Sequence, residues 1–154
     1  VIGGGLGYVY GNHVANKKAD AASTEDWLDA CLDNIKEVNS QTELANSKAE
    51  QELEDLDKEL AQVMADYDQK KISKADVKER KSQLKSQEKE LREQIEIAQL
   101  EIEMQETVLN DADAQRNEEY TKSLKKEIAD LQATVAELEG YADAYAQSAD
   151  RMAV

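Results

Sequence analysis

Residues 28–67 read LDACLDNIKEVNSQTELANSKAEQELEDLDKELAQVMADY. Positions 28, 32, 35, 39, 42, 46, 49, 53, 56, 60, 63 and 67 follow strict four-three spacing and hold Leu, Leu, Ile, Asn, Thr, Asn, Ala, Leu, Leu, Leu, Val and Tyr. That repeat keeps one face of a helix against a second helix, so the stretch predicts a helix that needs a helical partner. Upstream, Ser23-Thr24-Glu25-Asp26 supplies a hydroxyl cap with acids in the first turn. A helix over about 24–67 would be ~65 Å long at 1.5 Å per residue, a rod rather than a globule. Its seam turns polar at Asn39, Thr42 and Asn46. Buried polar seam residues trade stability for register and choice of partner, which makes these three candidate partner-specifying positions. A seam that simply faces water there is the alternative.

Working outward, the seam stops at DQKKIS after Tyr67, and Ser73-Lys74-Ala75-Asp76 reads as a cap that restarts a helix. A short polar connection between two long amphipathic helices signals an antiparallel hairpin. The second helix, 73–109, carries Val77, Leu84, Leu91, Ile95, Ala98, Ile102 and Leu109 on one seam, and its apolar face broadens over 95–109. A face that wide suits two neighbours. At 110–117, NDADAQRN, the pattern loses phase, as a turn or as an irregularity in one long helix. It resumes over 118–150 with Leu124, Ile128, Leu131, Val135, Leu138, Ala142 and Tyr145. Gly140 reads equally as a left-handed cap and as a tolerated helix glycine. The stretch ERKSQLKSQEKELREQ mixes signs at helical spacing and reads as a solvated face. The fold class expected is all-α: an elongated antiparallel coiled-coil hairpin of two or three long helices over 23–154.

Composition agrees with a helical rod. The chain has 154 residues, 40% apolar but only 5% aromatic, with no Pro and no Phe. Its 19 Lys and Arg stand against 34 Asp and Glu, a formal charge of −15. Such a chain is repelled by phosphate backbones and anionic surfaces, so nucleic-acid partners are not expected. The single cysteine, Cys31, excludes an intrachain disulfide and reads as a buried thiol. Leu28-Asp29-Ala30-Cys31 fails as a lipidation box, because no basic start and long apolar stretch precede it and an acid sits inside it. With no Met at position 1, the chain is expected to lack its translation start, a leader having been removed or a further stretch of the protein lying upstream.

Catalytic constellations are hard to find. His13 is the only histidine, which removes multi-His zinc sites, Ser-His-Asp triads and Cys-His dyads. It is expected as an interfacial or exposed imidazole. The carboxylates sit on helix faces interleaved with Lys and Arg, and no Glu-x-x-His motif exists for a di-iron bundle. No enzyme activity, cofactor or metal is expected.

The remaining feature is residues 1–15, VIGGGLGYVYGNHVA, followed by a polar transition at 16–22. The glycines do not fit G-x-G-x-x-G in any frame, and no Gly-Lys-Ser/Thr follows, so a phosphate loop fails. Gly3, Gly7 and Gly11 instead recur every fourth residue, which on a helix gives one bare face that another helix can approach closely. The apolar run is too short to span a bilayer, which takes ~20 residues. Tyr8 and Tyr10 give way to His13, Lys17 and Lys18 as aromatic and basic residues do at a membrane interface. A flexible glycine-rich leader is the bland alternative.

On Gly3, Gly7 and Gly11 within IGGGLGYVYGNHVANKKA, the chain resembles bacterial glycine-zipper envelope proteins and lipoproteins, here followed by a coiled coil. The resemblance covers about the first 20 residues and implies a self-packing membrane-associated helix, an envelope location and no catalysis. The function expected is a membrane-anchored scaffold or spacer with its coiled coil in the periplasm, acting as a homo-oligomer or within an envelope complex. A membrane-active helical protein, such as a pore-forming component or a spanin-like lysis protein, and a soluble coiled-coil adaptor are the alternatives.

Overall fold

A computed structural model describes residues 13–154, so Gly3, Gly7, Gly11, Tyr8 and Tyr10 lie outside the described residues. Two short 3-10 turns, Val14–Asn16 and Lys18–Asp20, lead into α1 (Thr24–Glu54) and α2 (Leu56–Asp68). Then come α3 (Lys74–Leu109), the single-turn α4 (Ala112–Gln115) and α5 (Glu118–Arg151). The described chain is all-helical, and none of its helices is long and apolar enough to cross a membrane.

Helix starts follow from local chemistry. The Ser23 hydroxyl accepts the Asp26 N–H at 3.1 Å, and Ser73 and Asp76 form a reciprocal capping box. Each satisfies backbone donors that a helix N-terminus leaves open, worth about 1 kcal/mol per cap. At Asp55 the helix slips, its N–H turning to the Leu53 carbonyl before α2 resumes. Aspartate favours such side-chain and turn alternatives over a helix interior. α2 ends in a Schellman turn: the Lys71 N–H reaches the Asp66 carbonyl at 2.8 Å and the Lys70 N–H that of Tyr67 at 2.9 Å. This puts Lys70 at φ 59°, the left-handed position that usually takes glycine.

The three long helices pack together in an up-down-up order. α1 and α3 are antiparallel: Cys31 meets Gln105, Thr42 meets Gln94, and Glu52 meets Gln87. α5 runs parallel to α1, with Asn39–Glu127 and Asn46–Thr134 both separated by 88 residues. Arg92–Asp143 and Gln99–Glu139 show α5 antiparallel to α3. α2 packs on α3 and has no extensive contact with α5, which ends at Arg151 beside Asp57. The bundle is therefore three helices thick along most of its length and two at the α2–α3 tip.

The core runs as a column through Leu28, Ile35, Leu84, Leu124, Leu131 and Leu138, each essentially inaccessible. Each such leucine or isoleucine contributes about 1.5–3 kcal/mol over its exposed state. Along α3 the inner positions depart from the four-three reading. Ile102 and Leu109 are half-buried, whereas Gln94, Glu101 and Gln105 are fully inside. The reason is that α3 serves two neighbours, so its buried sector is wider than one seam and takes in polar residues. Residues 110–117 form a true reversal: Asp111 caps α4 by accepting the Asp113 and Ala114 N–H groups, and α5 starts after Asn117. α5 runs straight through Gly140, where an added Cβ would meet nothing within 4 Å.

Candidate functional site

The strongest concentration of buried chemistry lies where the N-terminal segment meets α1 and α3. On α3, Glu101 and Gln105 stand one turn apart on the inner face, and Asn34 of α1 reaches the same carboxylate. His13 precedes the first 3-10 turn in an extended conformation (φ −64°, ψ 142°), and its Nδ1 accepts the Ala15 N–H at 3.0 Å. With Nδ1 an acceptor, the ring proton sits on Nε2, which donates to Glu101 Oε2. Asn34 donates to that oxygen at 2.8 Å, and Gln105 Nε2 donates to Oε1 at 2.7 Å. The Gln105 amide also reaches the Cys31 carbonyl at 3.3 Å.

Glu101 is 0% exposed. Burial pushes its carboxyl up, but the bonds from His13, Asn34 and Gln105 outweigh that and hold it below its ordinary 4.5. The same setting has the opposite effect on Cys31. Burial, with the Glu101 charge second, drives the thiol up to about 12, so it is no nucleophile.

A second set of contacts straps the same segment down. Lys18 Nζ reaches Asp111 at 2.9 Å and Asp113 at 2.7 Å, and lies 5.5 Å from the centre of the Trp27 ring. The Trp27 indole donates to the Val14 carbonyl at 3.0 Å, and Ala15 is buried. Asp111 is pushed up by burial, yet Lys18 and the α4 backbone donors bring it below the usual carboxylate value. The strap thus ties the segment after residue 12 to α1, to α3 and to the α3–α5 turn.

His13 is therefore not the interfacial or exposed imidazole expected from the sequence. A buried carboxylate and a backbone donor compete for it more effectively than water does. Lys18 is half-buried and ion-paired, and Lys17 is exposed. The polar transition 16–22 is part of this strap.

Asn39, Thr42 and Asn46 lie inside the bundle, so their seam does not face water. Asn39 donates to the Glu127 carbonyl at 3.1 Å and to its side chain at 2.9 Å; Asn46 donates to the Thr134 carbonyl at 3.1 Å. Thr42 bonds back to the Val38 carbonyl and accepts from Gln94 at 3.1 Å. Further along, Glu52 accepts from the Tyr145 hydroxyl at 2.6 Å and from Gln87 at 2.8 Å. Burial first, and the hydrogen bond to Glu52 second, raise the Tyr145 phenol. Apart from the Val38 carbonyl of α1 itself, these partners belong to α3 and α5 of the same chain, so the seam fixes register within the bundle.

The arrangement can hold a segment and a register. Among the described residues no group of His, Cys, Asp and Glu has the makings of a metal site. Sequence reasoning missed Glu101, Gln105 and Gln94. The series 77, 84, 91, 98, 105 with 94, 101 and 108 would have placed them inward, had the frame not been chosen by apolar identity. Comparison with protein-family models, with curated proteins and with solved structures returns no match.

Proposed function

We propose that this chain is a non-enzymatic, membrane-anchored scaffold or spacer of the bacterial cell envelope. In this reading the glycine-rich N-terminal segment is a zipper helix that self-associates at a membrane, and the helices form a coiled-coil rod in the periplasm. The observation that supports it is the strap. The chain from His13 onward is fixed to the bundle by His13, Trp27 and Lys18. His13 thus gives an upstream apolar segment a fixed point of attachment on the bundle, where a flexible leader would be joined through a Gly- and Ser-rich linker. A spacer needs that joint, because a rod transmits a distance only if its ends are fixed to what they hold. Self-association falls to Gly3, Gly7 and Gly11 in this account, because Asn39, Thr42 and Asn46 are engaged within the chain.

The test is fractionation of the full chain expressed in a Gram-negative host, with sedimentation of the detergent-extracted protein. The expected result is recovery with membranes as an oligomer that Gly7→Leu reduces to monomer. Recovery of the intact chain in the soluble fraction without detergent would overturn the proposal.

A further inference from the structure

The turn after α2 and the first two turns of α3, residues 69–81, carry six basic and two acidic side chains. The local charge is +4 in a chain of −15. Asp66 and Asp68, in the last turn of α2, bring the whole tip to +2. Arg80 is taken by Glu59 at 2.8 Å. Lys70, Lys71, Lys74 and Lys78 are exposed and Lys81 partly so, and no ion pair engages any of the five among the described residues. Lys74, Lys78 and Lys81 fall at i, i+4 and i+7, so they share one flank of α3. α5 stops beside Asp57, so its acids do not extend over the tip.

Two further observations concern the apex. Lys70 occupies the left-handed position of the Schellman turn, a strained place for a lysine where glycine would serve the fold better. Beside it Ile72 packs against the end of the hydrophobic core with Tyr67, and part of its side chain still faces solvent between Lys71 and Ser73.

The geometry points to an anionic phospholipid surface as the partner of this tip. The ammonium groups meet headgroup phosphates, and Ile72 enters the boundary between headgroups and acyl chains, as basic amphipathic segments do. A nucleic-acid backbone would offer the phosphates but nothing apolar for Ile72. The whole-chain charge does not forbid this. The field of an exposed charge is screened over about 8 Å at physiological ionic strength, while the Glu101 level lies ~40 Å from Lys74 along α3. Only the local charge meets the surface. The inference does not rest on the membrane role proposed for the N-terminal segment, since His13, the first described residue, is held at Glu101, far from the tip.

The experiment compares the full chain with Lys70→Glu/Lys71→Glu/Lys74→Glu. The partners are vesicles of phosphatidylcholine alone and of an equal mixture with phosphatidylglycerol, at low and physiological salt. Binding to neutral vesicles reads the N-terminal segment; the ratio of anionic to neutral binding reads the tip. Each lysine at an anionic surface strengthens binding roughly fivefold, so the wild-type ratio should exceed about ten at low salt and shrink as salt rises. In the triple variant it should fall to about one, with helicity and urea midpoint unchanged. Ile72→Ser should lower it by a smaller factor. A ratio that the triple variant keeps, or binding to double-stranded DNA as tight as to the anionic vesicles, would overturn the assignment.

Discussion

Glu101→Ala is expected to be among the most damaging single changes in this protein. The side chain is wholly buried and accepts from His13 Nε2, Asn34 Nδ2 and Gln105 Nε2. Truncation leaves those donors inside the bundle without their carboxylate, at about 1–3 kcal/mol for each left unsatisfied, and adds a small cavity. Relaxation and entering water offset part of that, so the net cost should be about 3–5 kcal/mol, the range for breaking one side of a buried charged network. Urea titration followed by far-UV circular dichroism reads this directly. With a slope of ~2 kcal/mol per molar, the midpoint should fall by roughly 2 M. His13→Ala should cost less, about 1.5–3 kcal/mol, because Asn34 and Gln105 remain on the carboxylate. The double variant should lose well under the sum of the singles, since the interaction is counted once.

The same carboxylate sets a pH dependence. Its folded value lies below its ordinary 4.5, so the stabilisation is fully present above that value and is lost as pH falls through the folded one. Glu101→Gln should remove this part of the acid sensitivity. A loss below about 1 kcal/mol in Glu101→Ala, or strict additivity with His13→Ala, would refute the claim that the cluster is a coupled network.

The other predictions read stability and reactivity at single positions. Lys70→Gly should raise stability by about 0.5–1 kcal/mol, since glycine adopts the left-handed conformation without steric cost; an unchanged urea midpoint would argue against strain there. Gly140→Ala should stabilise by about 1 kcal/mol, because α5 passes through it and a methyl group meets open space; a lower melting temperature would contradict this. Cys31 should resist thiol reagents in the native protein and react on unfolding, given its burial and a thiol pushed up to about 12; fast native-state labelling would disprove it.

The helical character of this chain was legible because its signals are local and repeat. Ser23 and Ser73 mark starts by chemistry confined to one turn, and the leucines at 28, 56, 84, 91, 124, 131 and 138 repeat at helical period. The strap was not legible. His13 reaches Glu101 across 88 residues, and no periodicity connects an irregular segment to a position on a distant helix. Glu101 itself was hidden by the assumption that charge marks a solvated face, which fails where one helix touches two others. Asn39 and Asn46 were visible as polar seam residues, but whether a second chain or α5 would meet them depends on how the chain reverses at 110–117. Lys70 and Lys71 were read only as part of a short polar connection and Lys74 as part of a cap, because a total charge averages over a length far greater than the range at which charges act.

The change from three helices to two along the bundle also grades its local stability. Where α1, α3 and α5 pack together, an amide opens to solvent only when much of the structure gives way. At the α2–α3 tip it opens when a short hairpin lifts on its own. Hydrogen exchange should therefore be fastest over residues 66–78 and slowest in the middle of α3, and a pull applied at the turn should peel the tip before it disturbs the strap. Such a molecule is compliant at one end and stiff at the other, so its tip can conform to a contact without slackening the far joint.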